Sequence, residues 1–157
     1  SFGSETGAFR AQGGVESVLL YQPKEKETEE NVWIKSSTME YDPGKNRILY
    51  REKAELKVKD IELTARLLNI LLDEETGDMR DIVASDKVVV VQEEYSGHGD
   101  EAKFDVKKEI ITVSGNPVLI DKNKGRTEGG KLTFYMADGR IVVENKDRER
   151  SVTIIKS

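Results

Sequence analysis

"ITVSGNPVLIDK" (residues 111–122) is the stretch whose reading decides the fold. Apolar residues alternate with polar ones up to Ser114 and resume at Val118, with Gly115-Asn116-Pro117 between them. Such a stretch is either a hairpin turn between two strands or one strand with a bend in it. Its counterpart elsewhere in the chain discriminates. When the sequence is slid along itself so that Tyr41 falls on Phe104, Asp42 falls on Asp105, Lys45 on Lys108, Ile48 on Ile111, Leu56 on Leu119 and Lys59 on Lys122, without a gap. Glu52-Lys53-Ala54 then stands where the other copy has Gly115-Asn116-Pro117, with no Gly to accept positive φ and no Pro to fix a turn. A tight hairpin is therefore not required. The pattern predicts one long strand that bends as it crosses from one sheet to another, with Gly115 easing the corner and Pro117 where the ladder needs no donor. "TEGGK" (127–131) marks the corner of the neighbouring strand. Two sheets joined by bent strands make an all-β fold, an open, V-shaped antiparallel β-jelly roll.

Period-two alternation extends this reading along the chain, through "VWIKS" (32–36), "RILYREKAELKV" (47–58), "IELTA" (61–65) and "KLTFYM" (131–136). Turn clusters at 42–46, 73–78, 121–125 and 137–140 separate these strands as an antiparallel meander requires. "LTARLLNILLDEE" (63–75) has helical spacing as well, at Leu63, Leu67, Ile70 and Leu71. The repeat favours strand, because with one residue inserted "ELTARLLNILL" (62–72) falls on "RTEGGKLTFYM" (126–136). A longer shift puts Phe9, Ala11, Val15 and Val18 on Ile82, Ala84, Val88 and Val91. The chain is thus one domain over 1–157: extra N-terminal strands and a charged loop (1–31), a first repeat (32–94) and a second (95–157).

Composition closes several chemistries. The 157 residues suffice for one domain that buries about two-thirds of its unfolded surface. Charged residues make up 35% and apolar ones 36%, and the longest apolar runs fall far short of the roughly 20 residues a spanning helix needs. The opening "SFGSETG" has no basic and apolar regions of a signal peptide. With 25 basic and 30 acidic residues, a net charge of −5 argues against nucleic-acid binding as the main work. The absence of cysteine removes disulfides, thiol nucleophiles and thiolate metal sites.

No motif points to catalysis. "GRTEGGKL" (125–132) has phosphate-loop spacing, but Leu132 stands where Ser or Thr would bind magnesium, and the segment leads into a strand instead of a helix N-terminus. His98 is the only histidine, too few for a histidine metal cluster, and is read as a loop or strand residue. The carboxylates fall in a solvated loop (24–31) and a hairpin tip (73–78), neither with calcium-loop spacing. An enzyme using paired acids needs them aimed into a cleft, and the inward positions here are apolar. Trp33 and the tyrosines are read as packing residues. The expectation is a protein that is not an enzyme, with no cofactor and no metal.

Residues 95–156 resemble the periplasmic lipopolysaccharide-transport family called LptA or OstA-like. The resemblance rests on a G-x-A-x-Y-D opening, here Gly99 to Asp105 with one residue more between Gly and Ala and Phe104 for Tyr; an alternating strand ending in Gly115-Asn116; and a "G-D-x-[LI]-x-Y" strand, here Gly129 to Phe134 with Gly130 for Asp and Phe134 for Tyr. It extends back through "VWIKSSTMEYD" (32–42), while Glu52-Lys53 departs from the Gly-Asn pattern. The resemblance implies a jelly roll open along one side, located in the periplasm, that carries lipopolysaccharide between the inner and outer membranes. Three kinds of member stay open: the LptA bridge, the soluble part of an LptC-like partner, and an LptD N-terminal domain. The implied partners are lipid A and like domains, self, LptC-like or LptD-like, joined through edge strands, with no nucleic acid.

Physical chemistry makes the implied role sensible. An acyl chain of about a dozen methylenes costs roughly 10 kcal/mol to hydrate at ~0.8 kcal/mol each, so several chains need a continuous apolar trough. The inward candidates for such a groove are Val32, Ile34, Tyr41, Ile48, Tyr50, Leu56, Phe104, Val106, Ile111, Val113, Leu119, Leu132 and Phe134. Without the resemblance, the same positions simply fill the closed core of a structural jelly-roll module that pairs through its edges. Edge strands are expected within 8–21 and at "SVTIIKS" (151–157).

Overall fold

The computed structural model describes residues 9–24, 28–145 and 151–155. They form twelve strands: β1 (Phe9–Tyr21), β2 (Glu30–Asp42), β3 (Arg47–Val58), β4 (Ile61–Leu72), β5 (Met79–Gln92), β6 (Tyr95–Asp105), β7 (Ile110–Ser114), β8 (Val118–Asp121), β9 (Gly125–Glu128), β10 (Lys131–Tyr135), β11 (Arg140–Glu144) and β12 (Ser151–Ile155). A single 3₁₀ turn, Pro43–Lys45, joins β2 to β3, with Asp42 capping it through a bond from the Gly44 N–H. The strands make one antiparallel sheet in the order β1-β2-β3-β4-β5-β6-β7-β10-β11-β12, with β8 beside β6 and β9 beside β8. The helical alternative for 63–75 is overruled, since β4 pairs along its length with β3 and β5. The tip that follows β4 is closed by Asp73, whose carboxylate accepts from the Glu75 and Thr76 N–H groups and is held below its ordinary pKa by them.

β7 and β8 are the two halves of the bent strand. Both pair with β6, β7 with residues 101–105 and β8 with 95–98. The same irregularity recurs in a row across the sheet. Gly13-Gly14 opposes one residue of β2, Glu52-Lys53 one residue of β4, and Asp86-Lys87 one residue of β6. At all four places two consecutive residues have positive φ: 87 and 96°, 65 and 52°, 70 and 56°, and, at Gly115-Asn116, 81 and 53°. Each pair is an extra-residue bulge, and bulges bend a strand and increase its twist. Set side by side at repeat-equivalent positions, they crease the sheet into two leaves. Glu52 and Lys53 adopt positive φ although neither is glycine, so the crease is made with or without glycine.

The inside of the crease is lined by small residues on the strands between the bulges: Ser36 on β2, Ala65 on β4, Gly99 on β6 and Gly129 before β10. A Cβ on Gly99 would lie 2.6 Å from Val113 Cγ1 and 2.7 Å from the Ser114 carbonyl oxygen, so glycine is what lets β6 turn the corner this close to β7.

Leaf I holds residues 15–21, 30–35, 55–58, 61–64, 88–92, 95–98, β8 and β9. Leaf II holds 9–12, 38–42, 47–51, 67–72, 79–85, 101–105, β7, β10, β11 and β12. The leaves face each other across one apolar core, to which both contribute alternate residues. The predicted edges at both ends of the chain are observed among the described residues as β1, paired there only with β2, and β12, paired there only with β11. Ala8, residues 25–27 of the charged loop and residues 156–157 lie outside the described residues.

Candidate functional site

The site is the inner face. Val32, Ile34, Leu56 and Leu119 project into it from leaf I, and Ile48, Tyr50, Phe104, Ile111, Val113, Leu132 and Phe134 from leaf II. Val106 joins them from the turn after β6. These twelve are buried to 2% exposure or less, while Tyr41 sits half-buried at the margin, packed against them. All thirteen groove candidates therefore share one apolar interior. The alternation also brings in residues that sequence reasoning passed over, among them Leu63, Leu68, Ile70, Ile82 and Val90. Register in β4 was the obstacle, because "RLLNILL" is apolar on both faces and offers no phase.

Contacts across the interior join the leaves. Tyr21 of leaf I meets Phe104 of leaf II edge to face, with ring centroids 5.8 Å apart. The Tyr50 hydroxyl of leaf II donates to Ser17 Oγ of leaf I at 3.1 Å. Gly97 of leaf I lies under Leu132 and Phe134 of leaf II, where a Cβ would come within 2.6 Å of the leucine. Burial pushes the Tyr50 phenol above its ordinary pKa, and the Ser17 bond opposes that only in part.

Opposite the crease, the free lips of the two leaves meet in a polar seam that the sequence did not signal. Glu109, in the β6–β7 turn of leaf II, is 3% exposed. Its Oε2 accepts from the Tyr21 hydroxyl at 2.7 Å and is paired with Lys59 Nζ at 2.8 Å, and both of those residues stand at the lip of leaf I. The Lys24 N–H donates across the same seam to the Lys107 carbonyl at 3.0 Å. The Tyr21 phenol is raised far above its usual pKa by burial first, then by its bond to the Glu109 carboxylate and that group's charge. Charged turn residues ordinarily read as solvated, which is why Lys59 and Glu109 stood out in no motif.

The remaining candidates stay apart from this interior. Trp33, expected to pack, lies on the outer face at 54% exposure beside Val18, because Val32 and Ile34 on either side point inward. His98 has Nε2 3.2 Å from Ser96 Oγ on the same strand. "GRTEGGKL" runs from β9 through the crease into β10, strand on both sides. Among the described residues, no group of three or more His, Asp or Glu is placed to hold a metal ion, and no helix is long and apolar enough to cross a membrane.

A creased, unclosed antiparallel sheet with an apolar inner face and free edge strands, β1, β9 and β12 among the described residues, defines the open β-jelly rolls. Residues 33–140 match the family described as LptA/(LptD N-terminal domain) LPS transport protein, and the chain belongs to that family. This is the family its motifs resemble. The fold is similar to that of LptH from Pseudomonas aeruginosa, described as the LptA homologous periplasmic component of the conserved lipopolysaccharide transport device. The TM-score is 0.62 over 87% of this chain and 100% of that one, at 12% identity, a likeness of fold. No curated protein matches the chain by sequence.

Proposed function

We propose that this chain works in the periplasm as a carrier of lipopolysaccharide, shielding the acyl chains of lipid A between its two leaves. In this reading it joins like domains, its own copies or LptC-like and LptD-like ones, through the free edges of β1 and β12, and so forms part of a bridge between the inner and outer membranes. It needs no catalysis and no cofactor: transfer of an apolar chain from water to an apolar interior supplies the driving force. The observation that carries the reading is an apolar inner face, contributed by both leaves of an unclosed sheet, in a chain of a lipopolysaccharide-transport family.

A photoreactive residue at Ile111, tested against one at Thr112, examines it directly. Ile111 is fully buried between the leaves, whereas Thr112 faces outward on the same strand. Crosslinking to lipopolysaccharide at Ile111 and not at Thr112 is the expected result. The second reading, a structural module whose interior is filled by its own side chains, is favoured by their near-zero exposure. It predicts no lipid at either position in a folded protein.

A further inference from the structure

Glu109 occupies a backbone position that does not suit it. Its φ is +56°, a left-handed conformation that brings the Cβ of an L-residue too close to the following carbonyl oxygen. The repeat-equivalent residue is Asn46, at φ +50°, and in the turn after β10 Gly139, at +74°, donates its N–H to the Tyr135 carbonyl four residues before it, as Glu109 does to that of Asp105. Asn and Gly are the residues that tolerate this conformation. In the repeat the two carbonyls do the same work, since that of Asn46 accepts from the Leu72 N–H and that of Glu109 from the Met136 N–H. The side chains do not. A buried carboxylate in a strained turn, with its charge-assisted contacts directed to the opposite leaf, is a residue held in place for what its side chain joins.

We propose that Glu109 is the clasp of the sandwich's open side: it ties the lip of leaf I, at Tyr21 and Lys59, to the lip of leaf II, and its release opens the seam through which acyl chains reach the interior. The clasp itself follows from the geometry; its use as a gate rests on the acyl-chain reading above. The position opposite the crease matters. Leaves hinged at a row of bulges separate most at their free lips, and the lips are where Tyr21, Lys59, Glu109 and the Lys24–Lys107 backbone bond are gathered.

The chain contains no cysteine, so cysteines placed at the exposed Lys24 and Lys107 carry spin labels across the seam without further change. The distance distribution is measured in the parent and in Glu109→Gly, which removes the carboxylate while suiting the left-handed turn. Tyr21→Phe, which removes one donor and keeps the ring, is the second variant. A single short distance is expected in the parent, and about tenfold more of a longer-distance form in Glu109→Gly, the shift that loss of a hydrogen bond to a charged group gives. Uptake of a fluorescent, multiply acylated glycolipid from micelles is expected to quicken in the same variants. Bridging the two cysteines with a short bismaleimide is expected to block it. An unchanged distance distribution in both variants overturns the clasp. A widened seam with unimpeded uptake by the bridged protein overturns the gate. A widened seam with no uptake by any form overturns the acyl-chain reading and the gate with it, and leaves the clasp standing.

Discussion

Lys53 and Asp86 carry ordinary side chains at φ of 52 and 70°, where each costs the fold something that glycine or asparagine would not. The second repeat uses Gly115-Asn116 at the place where the first has Glu52-Lys53, so the chain itself contains the better solution. Lys53→Asn is expected to stabilise by roughly 0.5–1 kcal/mol, raising the thermal midpoint by a few degrees in a calorimetric scan. Gly115→Ala works the other way. Its Cβ would meet Asp100 Cβ at 2.6 Å in a left-handed conformation, for a loss of about 1–2 kcal/mol. The same contrast marks what was legible residue by residue. Gly-Asn-Pro announces a bend, whereas Glu52-Lys53 is forced into one by its neighbours in the sheet, and no local propensity records that. The buried phenols make a third case. The pKa of Tyr21 in the folded state is raised above the ordinary value of about 10, so the folded protein keeps a proton that the unfolded chain releases. That contribution is complete below about pH 10 and is lost as pH rises above it toward the folded value. Denaturant titrations are expected to show stability falling with pH on the alkaline side, and the fall to be shallower in Tyr21→Phe, with Tyr50, raised in the same direction, supplying part of the remainder.

Strands alternate in how they take the crease. β1, β3, β5 and the β7–β8 strand carry the extra residues, while β2, β4, β6 and the β9–β10 strand carry a small residue on the inside. That division has a packing reason, because bulged strands turn the corner on its outside and their partners are compressed on its inside. Ala65 is 7% exposed at the inner corner, and Ala65→Leu adds three carbons where the leaves converge. Overpacking of this kind is expected to cost about 1–3 kcal/mol, read as a lower urea midpoint with the slope unchanged. The elements were largely legible from period-two alternation, since most strands face the core on one side and water on the other. β4 was the exception. Leu67 and Leu71 on its outer face and Leu68 and Ile70 on its inner one make a continuous apolar run, equally compatible with a helix until the repeat aligns it with β10. The bent-strand architecture came from the repeat more than from any single segment, and the seam did not come at all, because its parts are a strand end and turn residues separated by up to 88 positions.

The main path of the unclosed sheet ends at β1 and β12, two edges of unequal consequence. β1 is thirteen residues long, contributes Tyr21 to the core and to the seam, and meets leaf II through Ser17 as well. β12 is five residues long and pairs only with β11. Its removal uncovers the β11 ladder, whose inward residues Ile141 and Val143 are already part of the core formed with β10 and the opposite leaf. Deleting residues 151–157 is therefore expected to leave a folded monomer with an unchanged β spectrum and a modest loss of thermal stability. Its effect belongs to association. A free edge of unpaired N–H and C=O groups is a template for another strand, and a head-to-tail contact between unlike edges propagates into a row of domains instead of closing. If copies of this chain stack to lengthen the apolar interior, sedimentation velocity of the full chain at rising concentration will show species larger than the monomer, and the truncated chain will sediment as a monomer over the same range. Loss of the folded spectrum on truncation would instead make β12 part of the cooperative core, and the lengthening of the interior would then have to proceed through other edges.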